Sequence, residues 1–230
     1  MRSHKLLILV VAFSLTISNL TPANADNPPR RILSGWLPDY SLARNLPTVE
    51  GNLDLIRDIS PFWYGLTSET EIKDKYALGR YTTPKEAVIA RLKANGLLLL
   101  PTITDDTKKL VLANLLATPT SRTNIVQTIK ALVLKYNYDG IDLDFEVFYT
   151  QDGRSSWPTT KPNWIAFIKE LSAALHEQGK LLSVTTPPDF APETKRAGNW
   201  VFSWAEIGPH IDRLRIMAYD FSTVNPGPIS

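Results

Sequence analysis

The chain alternates short apolar runs with longer amphipathic patterns, and this alternation restricts the folds open to it. The pattern between the runs repeats at helical spacing, and each run has the length and composition of a buried strand. The six runs are Arg31–Leu37, Ser60–Leu66, Leu97–Thr104, Gly140–Glu146, Leu181–Thr186 and Arg213–Tyr219. Strands and helices in alternation form βαβ units around a parallel sheet. An α/β fold of one of two kinds is therefore expected: a (β/α)8 TIM barrel or an open doubly wound sheet.

Turn and cap signals mark the ends of the predicted helices. The segment Thr83–Glu86 combines a helix N-cap, a proline at the first helical position and a capping-box glutamate. Gly96, Asn137 and Gly179 follow the apolar stripes, where a left-handed residue ends a helix. No Gly-rich phosphate loop follows the first run, which counts against a dinucleotide-binding sheet. Six strands of a barrel of eight are recognisable, so we expect a barrel truncated after the sixth strand.

The first 25 residues have the layout of a secretory signal peptide. Arg2 and Lys5 precede the apolar run Leu6–Ile17, and Ala23–Ala25 offers a small-x-small cleavage site. The run is shorter than the roughly 20 apolar residues that a membrane-spanning helix needs. We expect cleavage after about Ala25, no stable membrane anchor, and a secreted, extracellular product. Residues 26–30 would then form a linker and residues 31–230 the folded domain, incomplete at its C-terminus.

Charge and composition exclude several classes of protein. The chain has 25 Lys+Arg and 23 Asp+Glu, and Arg2 and Lys5 lie in the predicted signal peptide, which leaves equal numbers of each sign. No basic excess remains to attract nucleic acid. The absence of cysteine excludes disulfides, thiolate zinc sites and a cysteine nucleophile. We expect a monomer that is stabilised by its core alone.

Three acids alternate with apolar residues in the fourth predicted strand. Because side chains alternate along a strand, Asp142, Asp144 and Glu146 share one face at steps of roughly 6.6 Å. In a barrel this face points to the interior. Burial there costs several kcal/mol for each carboxylate unless the acids share protons, find partners or perform chemistry.

This acidic strand allows three interpretations: a solvated edge strand, a divalent-metal site and acid catalysis. Its apolar face argues against an edge strand. One strand spreads its carboxylates over roughly 13 Å, so a metal site needs ligands from elsewhere, and only His176 and His210 follow the predicted signal peptide. Glu146 comes last, at the carboxyl end where barrel active sites open. The other acids favour its protonated form as a general acid, and Asp142 and Asp144 can share one proton.

The acidic strand resembles the signature of glycoside hydrolase family 18, the chitinase family. That signature is D-G-x-D-x-D-x-E on the fourth barrel strand. Its fixed positions are occupied by Asp139, Gly140, Asp142, Asp144 and Glu146. Met217–Phe221 is similar to the family's M-x-Y-D segment on the sixth strand, and Ser60–Tyr64 is similar to the second strand of members related to bacterial cell-wall and spore-cortex hydrolases.

The resemblance implies a substrate-assisted, retaining mechanism on N-acetylglucosamine-containing polysaccharide, either chitin or peptidoglycan. It implies that Glu146 protonates the leaving oxygen, that Asp144 holds the acetamide N–H, and that Asp142 shares the proton of Asp144. Tyr219 would hydrogen-bond the acetamide oxygen. No metal and no cofactor are expected.

The resemblance also implies that Asp220 and Met217 line the sugar pocket. Trp36 and Tyr64 lie near the carboxyl ends of the first two predicted strands and are candidates for stacking on a sugar. Leu100–Asp106 departs from the S-x-G-G segment of the family's third strand, which indicates a divergent branch. The alternative function is a non-catalytic chitinase-like lectin. Such proteins usually lose the catalytic glutamate, so the enzyme is favoured.

Overall fold

The computed structural model describes residues 33–79, 81–189 and 199–218. The predicted signal peptide and linker lie outside these residues, as do Tyr219 and Asp220. Within the described part of the chain, no helix is both long enough and apolar enough to cross a membrane.

The described residues form strands and helices in the predicted alternation. The strands are β1 (Leu33–Leu37), β2 (Ile56–Pro61), β3 (Tyr64–Ser68), β4 (Glu71–Asp74), β5 (Leu98–Leu99), β6 (Thr102–Asp105), β7 (Gly140–Asp144), β8 (Leu181–Thr186) and β9 (Arg213–Ile216). The helices are α1 (Leu42–Glu50), α2 (Lys85–Ala94), α3 (Val111–Ala117), α4 (Pro119–Lys135), α5 (Trp157–His176) and α6 (Trp204–Ile207). A π-helical turn spans Phe148–Asp152.

The strands pair in the order of a β/α barrel. One sheet has the order β1-β2-β5, and the other has the order β4-β3-β6-β7-β8-β9. All pairs are parallel except the β3–β4 hairpin. Since β2 continues into β3 and β5 into β6, the two sheets together supply six consecutive barrel strands. This confirms the predicted (β/α) barrel architecture.

Two of the predicted strands are interrupted. The run Ser60–Leu66 divides into β2 and β3 around Phe62, and the run Leu97–Thr104 divides into β5 and β6 around Pro101. Proline has no N–H to donate to a ladder, and Pro61 and Pro101 stand at these breaks. Each run therefore contributes one strand to each of the two sheets, and the chain bends where it passes from one sheet to the other.

The predicted C-terminal helix ends are confirmed, whereas the capping box predicted at Thr83–Glu86 is wrong, because Pro84 precedes the first residue of α2 and no side chain caps that end. Gly96, Asn137 and Gly179 all have positive φ values, at 76°, 49° and 65°. The helices α4 and α5 begin earlier than their apolar stripes do. Each has a proline in its first turn, where the missing N–H removes no helical hydrogen bond.

The side chains on the outward face of β7 are packed in the hydrophobic core. Ile141, Leu143 and Phe145 are almost fully buried, and the ring of Phe145 stacks on Phe167 of α5 with a centroid separation of 6.2 Å. Because neighbouring residues of a strand point to opposite faces, this packing turns the alternate residues of β7 to the inside of the curved sheet.

A glycine at the start of β7 allows two strands to approach closely. A Cβ atom added to Gly140 would lie 2.2 Å from the backbone oxygen of Leu181 in β8. Gly140→Ala is therefore expected to lower the free energy of unfolding by about 1–3 kcal/mol or more, since backbone must shift to make room. Urea unfolding measures the effect. Gly208→Ala is the control, because no atom lies within 4 Å of that added Cβ; equal stability losses in the two variants would contradict the prediction.

Candidate active site

Side chains from three other strands, β1, β6 and β8, donate hydrogen bonds to Asp142. The carboxylate is fully buried and accepts hydrogen bonds from the indole of Trp36 on β1 at 3.1 Å and from the hydroxyl of Thr102 on β6 at 3.0 Å. On β8, the hydroxyls of Ser183 and Thr185 donate to it at 2.6 Å and 3.1 Å. Partners from strands as far apart as β1 and β8 meet only inside a curved sheet. The acidic face of β7 therefore points to the interior.

An arginine on β9 spans this interior. Its guanidinium lies 3.6 Å from the Asp142 carboxylate, donates to Ser60 of β2 at 2.7 Å, and pairs with Asp58 of β2 at 2.9 Å. This residue is Arg215, and Arg213 pairs with the same Asp58 at 3.1 Å. The side chain of Asp58 is almost fully buried. The sequence contained a signal for this cluster: Arg213 and Arg215 are alternate residues of an otherwise apolar strand.

Asp144 is the acid whose ionisation the fold changes most clearly. Its side chain is 4% exposed. Burial, together with the negative charges of Glu146, Asp142 and Asp105, raises its pKa to about 8. Its Oδ1 atom is buried and has no hydrogen-bond partner among the described residues. A neutral acid with one unpaired oxygen is thus placed between the other two acids of the strand.

Glu146 begins the turn that follows β7. Its side chain is half-buried, and its Oε2 atom accepts a hydrogen bond from the hydroxyl of Tyr149 at 2.7 Å. Asp105, at the end of β6, accepts the backbone N–H of Val147 at 2.6 Å. Burial raises the pKa of Asp105 to about 7, although the backbone N–H groups of Val147 and Glu146 oppose that shift. Neither Tyr149 nor Asp105 is among the site residues predicted from the sequence.

The other two motif positions have structural contacts. The carboxylate of Asp139 accepts the backbone N–H of Leu99 at 2.9 Å and pairs with Lys93 at 3.2 Å. Together with the close approach at Gly140, these contacts fix the register of β7 at the end opposite Glu146.

The aromatic candidates divide. Trp36 lies in the site: its indole N–H is bonded to Asp142 and its side chain is 37% exposed, which leaves ring surface for a ligand. Tyr64 does not lie in the site, and that prediction is corrected. It is 2% exposed, and it pairs with Ile103 on the outward face of the sheet. There its hydroxyl is hydrogen-bonded to the hydroxyl of Tyr138 at 2.8 Å and accepts a hydrogen bond from the ammonium group of Lys85 at 3.1 Å.

Of the segment Met217–Phe221, the structure describes only the beginning. Met217 follows β9 directly, is buried, and donates its N–H to the oxygen of Thr186 at 2.9 Å. Tyr219 and Asp220 are outside the described residues. Among those residues, no group of three or more histidine and acidic side chains is arranged to hold a metal ion.

The fold and the site together define a β/α-barrel protein with an acidic centre at the carboxyl end of its fourth strand. Residues 52–230 match the family model described as glycosyl hydrolases family 18. The chain belongs to that family, which confirms the resemblance seen in the sequence.

Individual relatives agree with this membership. The probable chitinase 10 of Drosophila melanogaster is 32% identical over 111 residues, which are 47% of this chain and 5% of that protein. The spore cortex-lytic enzyme SleL of Bacillus megaterium shares the fold with a TM-score of 0.66 at 16% identity, covering 89% of this chain and 45% of that one. A mutant catalytic domain 2 of the Group II chitinase of Ostrinia furnacalis, solved in complex with penta-N-acetylchitooctaose, has a TM-score of 0.64 at 21% identity, covering 84% and 51%. The chain thus spans about half of each solved chain and a small part of the fruit-fly protein.

Proposed function

We propose that this chain is a secreted glycosidase that cleaves β-1,4-linked N-acetylglucosamine polymers, chitin or peptidoglycan, with retention of configuration. The observation that carries the proposal is the arrangement of Asp144. It lies between a firmly bonded carboxylate and the outermost glutamate, holds a proton at neutral pH because its pKa is about 8, and leaves one oxygen unpaired among the described residues.

The substrate supplies the nucleophile in this mechanism. The oxygen of the 2-acetamido group attacks the anomeric carbon, and Glu146 transfers its proton to the departing glycosidic oxygen. Asp144 meets the acetamide N–H through its unpaired oxygen and neutralises the oxazolinium ion that forms. Glu146 then activates the water that opens this ion, so the configuration is retained.

Asp142 allows Asp144 to change its charge during the cycle. As positive charge develops on the oxazolinium ion, the ionised form of Asp144 becomes favoured, and its proton passes to Asp142. Hydroxyl groups act as donors or acceptors, so Thr102, Ser183 and Thr185 can bond Asp142 in either protonation state. We propose that Tyr219 orients the acetamide oxygen, as the resemblance to the family implies. Three further residues would contact the sugar: Asp220, Met217 and Trp36.

The relatives support this class of substrate, since they include a probable chitinase, a spore cortex-lytic enzyme and a chitinase domain solved with a chitin-type oligosaccharide. We further propose that residues 1–25 direct secretion, that residues 26–30 are a linker, that residues 31–230 belong to the catalytic domain, and that the protein acts as a monomer.

Loss of the acetamide group is the direct test of substrate assistance. Chitin oligomers are expected to be cleaved at least about 100-fold faster than fully deacetylated oligomers of the same length, because only the former carry the attacking oxygen. Reducing-end release, followed with a chelator present, measures both rates, and NMR of the first product reports its anomeric configuration. Equal rates, or an inverted product, would rule out the mechanism. Purified peptidoglycan, digested in parallel, decides between the two polymers.

A further inference from the structure

The carboxyl group of Glu146 has a hydrogen-bond donor within its own turn. Tyr149, three residues further along the chain, places its hydroxyl 2.7 Å from Glu146 Oε2. Its ring lies edge-on to Phe202 with a centroid separation of 6.3 Å. The side chains of Tyr149 and Glu146 are both half-buried, so the acid stays partly exposed while it accepts this hydrogen bond.

The turn that carries Tyr149 is tied to Glu146 at several points. The backbone N–H groups of Tyr149 and Thr150 both donate to the carbonyl oxygen of Glu146, at 3.1 Å and 3.0 Å. The carboxylate of Asp105 accepts the N–H of Val147 at 2.6 Å. The indole of Trp157 donates to the oxygen of Phe148 at 2.7 Å. These bonds hold a π-helical turn, a geometry that recurs at functional sites, and they fix the tyrosine relative to the acid.

We propose that Tyr149 is a positioning residue that makes Glu146 an effective proton donor to poor leaving groups, an inference that rests on the proposed function. When Glu146 transfers its proton to the glycosidic oxygen, it becomes negatively charged. A hydroxyl that donates to this carboxylate forms a charge-assisted hydrogen bond, which is stronger than the bond to the neutral acid. Tyr149 therefore stabilises the transition state more than the ground state, and it also restricts the rotation of the carboxyl group.

The dependence of rate on the leaving group tests this role. A sugar hydroxyl leaves only with a proton, whereas a dinitrophenolate leaves without one. Tyr149→Phe is expected to lower kcat on chitin oligomers by about tenfold or more. On a dinitrophenyl β-glycoside of an N-acetylchitooligosaccharide, the same variant is expected to stay within about twofold of the wild type. KM for both substrates is expected to be unchanged, because the lost bond is made to the enzyme's own acid.

The Tyr76→Phe variant is the matched control. It also removes one tyrosine hydroxyl, which is bonded to the backbone oxygen of Thr83 at 2.5 Å, away from the acids. Its ratio of oligomer to dinitrophenyl rates is expected to equal that of the wild type. In Tyr149→Phe, equal losses on the two substrates, or no loss on either, would overturn the proposal. Glu146→Gln distinguishes failure of the proposed function from failure of the role of Tyr149. If this variant cleaves oligomers as fast as the wild type, the proposed function itself fails.

Discussion

Replacing Glu146 with glutamine is expected to lower kcat on chitin oligomers by roughly 10²–10⁴-fold, the range that a positioned general acid contributes. Glutamine has nearly the same size and cannot supply the proton that the glycosidic oxygen needs. Its amide oxygen can still accept the hydroxyl of Tyr149, so the turn after β7 is expected to stay in place. Reducing-end assays measure turnover, and calorimetric titration with an intact oligomer measures binding.

The binding measurement distinguishes a chemical defect from a structural one. Binding within about threefold of the wild type, together with the loss of turnover, assigns Glu146 to the chemical step. Glu146→Asp is the second variant: it keeps the acid but shortens its reach, and we expect activity between those of the glutamine variant and the wild type. Turnover that is unchanged in Glu146→Gln would remove the assignment of the catalytic acid.

The second large effect is expected at Asp144, where activity and stability should change in opposite directions. Asp144→Asn removes the group that changes charge opposite the oxazolinium ion, and we expect kcat to fall by at least about 100-fold. The same change removes an acid that the fold holds in its neutral form, with its pKa raised from 3.8 to about 8 by burial and by neighbouring charges.

The effect on stability follows from proton linkage. Between about pH 4 and pH 8, Asp144 is protonated in the folded chain and ionised in the unfolded one. Unfolding then releases a proton, and the wild type loses stability as the pH rises to about 8, above which the loss is complete. Asp144→Asn does not titrate. Its advantage in unfolding free energy is therefore expected to grow from near zero at pH 4 to about 2–5 kcal/mol at pH 8.

Urea unfolding of both proteins across this pH range measures the difference. Asp105, whose pKa is also raised, titrates in both proteins and largely cancels. A difference that is constant with pH would show that Asp144 is not held neutral by the fold, and would contradict its proposed role.

The sequence was sufficient to predict the features that depend on periodicity. The βα alternation, the inward face of β7 and the helix ends at Gly96, Asn137 and Gly179 all follow from local residue patterns, and the structure confirms them. Trp36 was predicted from its place near the carboxyl end of the first strand, and its indole lies against Asp142.

Tyr64 was misplaced because its run is not one continuous strand. Side-chain direction depends on counting residues along a strand, and the interruption at Phe62 and Trp63 resets that count. When the chain resumes as β3, Tyr64 is paired with outward-facing Ile103. Its phenol is therefore buried beneath the helices, where Lys85 and Tyr138 bond it.

The alternation of Arg213 and Arg215 indicates that both lie on one face of the strand, but the partners of Arg215 and the role of Tyr149 do not follow from the sequence. The role of Arg215 depends on Asp58, which is 157 residues away in the chain, and it becomes visible only when β9 and β2 face each other. The role of Tyr149 depends on the chain turning helically directly after β7, because a helical turn brings side chains three residues apart side by side.

The ion pairs across the interior connect the acidic strand β7 to Asp58 of β2, which lies outside that strand. Asp58 supplies the counter-charge for both arginines of β9, and Arg215 in turn faces Asp142. Replacing Asp58 with a neutral residue would leave both arginines without this counter-charge, and the unpaired charge of Arg215 would then lie beside Asp142. A residue that lies outside the acidic strand therefore contributes to the charge balance around it.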